Sequence, residues 1–210
     1  MGTNIALKRA KKALHRKQLA VQRRKLEVVE SAVAGRARRA ALSPIQHCYL
    51  HGDVDVDGIA NVIVARGVSP YRLVAAFFLV DLHCLGIKDI IVHDMTAEEF
   101  AAFLAHMRDA SDQLAPVDPS YARKLLRDAA AWAATIGFKP HRDFVGVEQI
   151  FGDVAAEACE ATFSFGVDGR PCYVVGPTET PAQVRQRLTH LRDRLGLDGF
   201  DFVIPGDDDE

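Results

Sequence analysis

The chain has 210 residues, 49% hydrophobic and 26% charged, with a formal net charge of −2, which suits one globular domain plus an extension. No apolar run approaches the ~18–20 residues of a bilayer-crossing helix, and no apolar h-region follows the charged start, which argues against a secretory leader. The four cysteines, Cys48, Cys84, Cys159 and Cys172, contain no CxxC pair, and a domain this large needs no disulfide, so the expectation is a cytoplasmic protein with reduced thiols.

Charge is segregated along the chain. Residues 1–42 hold twelve Lys or Arg against Glu27 and Glu30, a net of +10, while the rest holds 14 against 26 acids, a net of −12. Such asymmetry points to a nucleic-acid or anionic-surface contact made by one end. An Arg-rich, acid-poor opening is also the composition of an organelle transit peptide, but charge this dense suits a polyanion better. The Met-Gly start has Ala6 where a myristoylation motif needs Ser or Thr.

Residues 5–41 contain no proline, one glycine (Gly35) and many good helix formers, which predicts one long basic helix, or one that forms on binding. Leu7, Leu14, Val21 and Val28 recur every seven residues, but the second seam of a coiled coil falls on Lys11, Gln18, Lys25 and Ala32. The segment lacks the bulky aromatics of a membrane-surface helix. Ser43-Pro44 marks a boundary.

An apolar stretch, Ile45 to Leu50, leads into the acidic His51-Gly-Asp-Val-Asp-Val-Asp-Gly58. Ile59 to Arg66 and Tyr71 to Leu82 read as a hairpin joined by Gly67-Val-Ser-Pro70, and Ile87 to Val92 as another strand. Thr96 and Glu99 fit a capping box for a helix to about Ala110. A loop with Pro116 and Pro119 follows, then a helix opened by Asp118 or Ser120 and ended by Gly137. Asp143 to Phe151 reads as a brief helix.

Around Val167-Asp-Gly-Arg170, Ala161 to Gly166 and Pro171 to Val175 are predicted to pair as a hairpin. Thr180 caps a helix with Pro181 at its first position, running to Leu195 with Val184, Leu188 and Leu191 inward. A last strand, Phe200 to Ile204, precedes an acidic tail, 205–210, expected to be disordered.

The expected class is α+β: a long basic N-terminal helix, then a mainly antiparallel sheet with helices packed on one face. The expected units are an arm (1–43), a domain (44–204, with a possible division near 116) and the tail.

Several motifs occur together: Asp81-Leu-His-Cys84-Leu-Gly-Ile-Lys88-Asp89, Gly137-Phe-Lys-Pro-His141, Phe151-Gly-Asp153, Phe163-Ser-Phe-Gly166-Val-Asp-Gly-Arg-Pro171 and Gly176-Pro177. They resemble an uncharacterised bacterial family that shares a strand-ending Cys-Leu-Gly-x-Lys element, a Phe-x-Phe-Gly-x-Asp-Gly hairpin and a Gly-Pro turn. The resemblance spans roughly residues 45–204. It implies that the domain is one unit and implies no reaction.

The strongest functional signal is the arm. Lys8, Arg9, Lys11, Lys12, Arg16, Lys17, Arg23, Arg24 and Lys25, continued by Arg36, Arg38 and Arg39, distribute charge around most of a helix. Such residues neutralise phosphates without reading sequence. A helical arm without stacking aromatics suits structured RNA or the ribosome, with DNA open.

Cys84 with His141 is the enzymatic alternative, a nucleophile and base oriented by Asp81 or Asp143, for a cysteine-dependent hydrolase or transferase. A buried thiol and a surface histidine are the commoner reading.

Asp53, Asp55, Asp57 and Gly58 match the first half of a calcium loop, but its twelfth position is Val64 where a bidentate Glu is needed. An acidic loop, or a counterweight onto which the basic arm folds, fits better. His47, Cys48 and His51 could join His83 and Cys84 at zinc only if residues 45–50 paired with 80–84. The glycines at 166, 169 and 176 read as turn residues rather than phosphate cradles. Arg170, Arg185, Arg187, Arg192 and Arg194 form either a second basic patch or a solvated face.

The expectation is therefore a non-enzymatic protein that binds structured RNA or the ribosome through its arm, without cofactor, metal or membrane. The alternatives are the cysteine enzyme and a protein-interaction module whose arm meets an acidic protein.

Overall fold

A computed structural model describes residues 15–19, 32–54, 56–110 and 113–204. The protein is α+β, built on a five-stranded antiparallel sheet. Its strands are β1 (Ile45–His51), β2 (Ile59–Ser69), β3 (Arg72–Asp81), β4 (Gly86–Thr96) and β5 (Leu114–Pro116), in the order β4-β3-β2-β1-β5. No helix among the described residues is long and apolar enough to cross a membrane.

Most of the long basic helix expected over 5–41 lies outside the described residues. Within them, 15–19 and 32–40 are helical, the latter labelled α1. Ala37 and Ala40 of α1 are buried in the main core. The expected tail, 205–210, also lies outside.

The predicted hairpin forms as β2 and β3, but β2 runs on to Ser69 with a register shift between Gly67 and Ser69. The central strands carry uninterrupted apolar runs because both faces are covered. Val62 and Val64 join Ala76, Phe78 and Val80 in the main cluster, whereas Ile63 and Ala65 join Leu73 and Ala75 in a second. Helices therefore pack on both faces, not one. Helix α2 (Ala97–Ala110) seals the second cluster with Phe100 and Leu104. On the other face lie α1, α3 (Pro119–Thr135), the short α4 (Phe144–Val147) and the 3-10 turn Glu148–Phe151. Each large side chain buried there, such as Phe78 or Phe151, contributes about 1.5–3 kcal/mol.

The caps form as predicted. Thr96 N–H donates to Glu99 Oε2 (2.7 Å) and Glu99 N–H to Thr96 Oγ1 (3.1 Å). Asp118 accepts from the Ser120 backbone N–H at 2.7 Å, opening α3. Residues 114–116, expected as loop, are β5, which pairs with β1. Gly86 (φ +67°) lets α3 approach: a Cβ there would lie 2.8 Å from the Ala133 methyl.

The C-terminal third departs from the expected hairpin. The turn is present, with Asp168 at φ 52° and Gly169 at φ 78°, but only Val167 and Arg170 bridge across it. Residues 161–165 form no strand because their aromatics seal α3: Phe163 meets Tyr121 edge-on, and Phe165 stacks on Trp132 at 5.5 Å. Instead β6 (Cys172–Val174) pairs in parallel with β7 (Asp201–Val203), with α5 (Pro181–Leu195) between them in sequence. Thr180 and Gln183 form the capping box of α5, and Val184, Leu188 and Leu191 face inward.

Candidate functional site

The cationic residues divide into those outside the described segments and those with defined surroundings. Lys8, Arg9, Lys11, Lys12, Arg23, Arg24 and Lys25 fall outside. Arg16 and Lys17 are exposed on the helical stretch 15–19. Arg36 reaches the edge of the sheet, 3.3 Å from Asp94 Oδ2, with a long hydrogen bond of 3.4 Å to the Val92 carbonyl. Arg38 Nε donates to Gln149 Oε1 at 2.8 Å. Arg39 is exposed and has no ion-pair partner among the described residues. Arg36 and Arg38 thus hold α1 on the domain, a role invisible without knowing what lies across from them.

Cys84 is fully buried in the turn after β3. Its backbone N–H donates to Asp81 Oδ1 at 2.8 Å. Burial first, then the nearby Asp81 and Cys172, push its thiol far above the ordinary range. A thiol held protonated out of water is a poor nucleophile. The His141 backbone N–H bonds the Ile87 carbonyl, which brings its segment beside β4. Its ring, however, lies 3.9 Å from Asp89 Oδ1 and 3.8 Å from Asp143 Oδ2. Neither carboxylate is within hydrogen-bond distance of the ring, and no hydrogen bond or ion pair joins His141 to Cys84.

Asp81 belongs to a different group. Lys88 Nζ sits 3.9 Å from Asp81 Oδ2 and 3.7 Å from Glu179 Oε1. Glu179 also pairs with Arg187 and accepts from the Tyr173 hydroxyl, and the Arg187 guanidinium lies 5.7 Å from the centre of that ring. Burial opposes the Glu179 charge, yet these bonds hold its carboxyl below the usual range. The cluster ties β6 and α5 to the end of the main sheet. A second buried group joins α3 to the 3-10 turn: Glu148 accepts from Arg123 at 2.6 Å and from Arg127 at 2.7 Å. Neither group was foreseen, because their members are remote in sequence and each alone reads as a surface charge.

The other candidates resolve locally. Val64 is buried in β2, and Asp53 accepts from the Val56 N–H at 3.1 Å; Asp55 lies outside the described residues. Residues 45–50 do not pair with 80–84, because β2 lies between β1 and β3. Cys48 packs into the main core, its thiol raised to about 12 chiefly by burial, while His47 turns to the opposite face against Phe100. Among the described residues no group of three or more His, Cys, Asp or Glu is placed to hold a metal. Arg170 pairs with Asp201, Arg192 with Asp193, and Arg187 turns inward to Glu179, while Arg185 and Arg194 are exposed.

One concave surface stands out. Between α2 and the outward face of β3 and β4 lies a groove of about 570 Å³, walled by Phe77, Ile91, Met95, Phe103 and Met107. Its rim is polar, with His93, Asp94 and Glu99. No family model, curated protein or solved structure matches the chain.

Proposed function

We propose that this chain is a non-enzymatic nucleic-acid-binding protein that engages structured RNA, that of the ribosome, through its basic arm, in the cytoplasm. The carrying observation is charge segregation: net +10 over residues 1–42 against −12 over the remainder. Exposed Arg16 and Lys17, and Arg39 with no ion-pair partner among the described residues, support it, being available to phosphate. The arm forms its long helix on the ligand, neutralising phosphates on several sides and releasing counterions. Buried Cys84, with its raised thiol, gives the cysteine-enzyme alternative little support.

The test is gradient sedimentation of cell extract at low salt, comparing the full chain with one lacking residues 1–31. That deletion spares α1, whose Ala37 and Ala40 belong to the core. The full chain should travel with ribosomes or RNA and the deletion should stay at the top; a full chain at the top refutes the proposal.

A further inference from the structure

The groove beside α2 is a sheet face with a helix missing. A helix about 10 Å across covers roughly two strands spaced ~4.8 Å apart. Helix α2 occupies the face over Ile63, Ala65, Leu73 and Ala75. The outward side of β4 stays open, and Ile91 is 48% exposed. The floor is aromatic and methionine-rich, which suits an adaptable helix-binding surface. The rim carries two carboxylates, Glu99 and Asp94, of which Asp94 is already paired with Arg36, so Glu99 is the rim charge left to favour a cationic occupant.

The chain itself contains a segment of that description. Helix α1 packs on its own core through Val33, Ala37 and Ala40. The same helical spacing continues backward through Val29, Leu26 and Leu19, among Arg16, Lys17, Arg23, Arg24 and Lys25. Of this stretch the described part is 15–19, all of it exposed, with Leu19 at 50%. One chain thus carries, in its sequence, apolar positions at helical spacing with basic flanks and, in its fold, an open apolar groove with Glu99 on its rim.

We propose that the groove between α2 and β4 receives the basic arm of a second copy, with Leu19, Leu26 and Val29 seated against Phe77, Ile91 and Met107. The contact is independent of the polyanion reading, because it is measured on protein freed of nucleic acid. When both copies exchange arms, the contact is made twice around a two-fold axis.

Sedimentation velocity of the nuclease-treated full chain at about 100 µM, enough to populate a micromolar contact, should show a dimer. Ile91→Lys, at a position already half exposed, should weaken association about tenfold or more, and Ile91→Glu less, because only the lysine repels a cationic arm. Leu26→Asp should also give monomers. Mixing the Ile91→Lys and Leu26→Asp chains should restore association, since each retains the half the other lacks. Circular dichroism melts confirm that the variants are folded.

A monomeric wild type at that concentration overturns the proposal. So does a dimer indifferent to Ile91→Lys, or one lost equally with Glu and Lys while Leu26→Asp has no effect, the signature of two grooves packed face to face. A monomer whose groove loses solvent protection on Leu26→Asp would place the arm on its own domain and equally overturn it.

Discussion

The Arg36 guanidinium lies 3.3 Å from the Asp94 carboxylate, fastening the root of the basic arm to the edge strand of the acidic domain. The pair is partly exposed, so Arg36→Ala should cost no more than about 1 kcal/mol in chemical denaturation. The neighbouring alanines matter more. Ala40→Glu places a carboxylate in the main core and should cost about 3 kcal/mol or more, whereas removing residues 1–31 should leave the melting temperature nearly unchanged when both chains are dilute enough to be monomeric.

Thiol labelling tests the reading of Cys84. In the folded protein Cys159, half-buried, should react with an alkylating reagent well before Cys84, Cys48 or Cys172, all buried. Mass mapping at short times checks the order. A Cys84 that reacts first would reinstate the cysteine-enzyme reading.

Glu148 predicts an acid limb to stability. Burial opposes its charge, but hydrogen bonds from Arg123 and Arg127 outweigh that and hold its carboxyl below the ordinary range. The folded pKa lies below the unfolded one. The stabilisation is therefore present above about pH 4.5 and fades as the pH falls through the depressed folded value. Glu148→Ala, which leaves Arg123 buried without its carboxylate, should cost about 3 kcal/mol at pH 7. Its unfolding free energy should also fall less on acidification than that of the wild type.

Gly86→Ala should be among the most damaging single-methyl additions. It combines a left-handed backbone with a contact of 2.8 Å to Ala133. Together these should cost about 3 kcal/mol, read from the shift in denaturation midpoint.

What could be read directly from the sequence was local chemistry. The box at Thr96, the caps at Thr180 and Asp118 and the β2–β3 hairpin depend on residues within a few positions of one another. Strand β5 was missed because three residues carry no periodicity and become a strand only by pairing with β1. The Asp168-Gly169 turn was legible, but the fate of its flanks was decided by Tyr121 and Trp132, which draw Phe163 and Phe165 onto α3. Helices on both faces were implicit in the unbroken run Val62-Ile63-Val64-Ala65, where alternation would have marked a wet face. Lys88, Glu179 and Arg187 find one another only after folding, so no spacing rule announces them.

The central claim is that the crowded cations of the arm meet phosphate. Its most direct test is the affinity of the full chain for a structured RNA as salt rises from about 50 to 200 mM. With roughly six phosphates neutralised, the logarithm of the binding constant should fall with the logarithm of salt at a slope near −5, about a thousandfold over that range. The chain lacking residues 1–31 should lose both the affinity and most of the slope. An absence of binding at 50 mM salt, or identical curves for the two chains, would contradict the account.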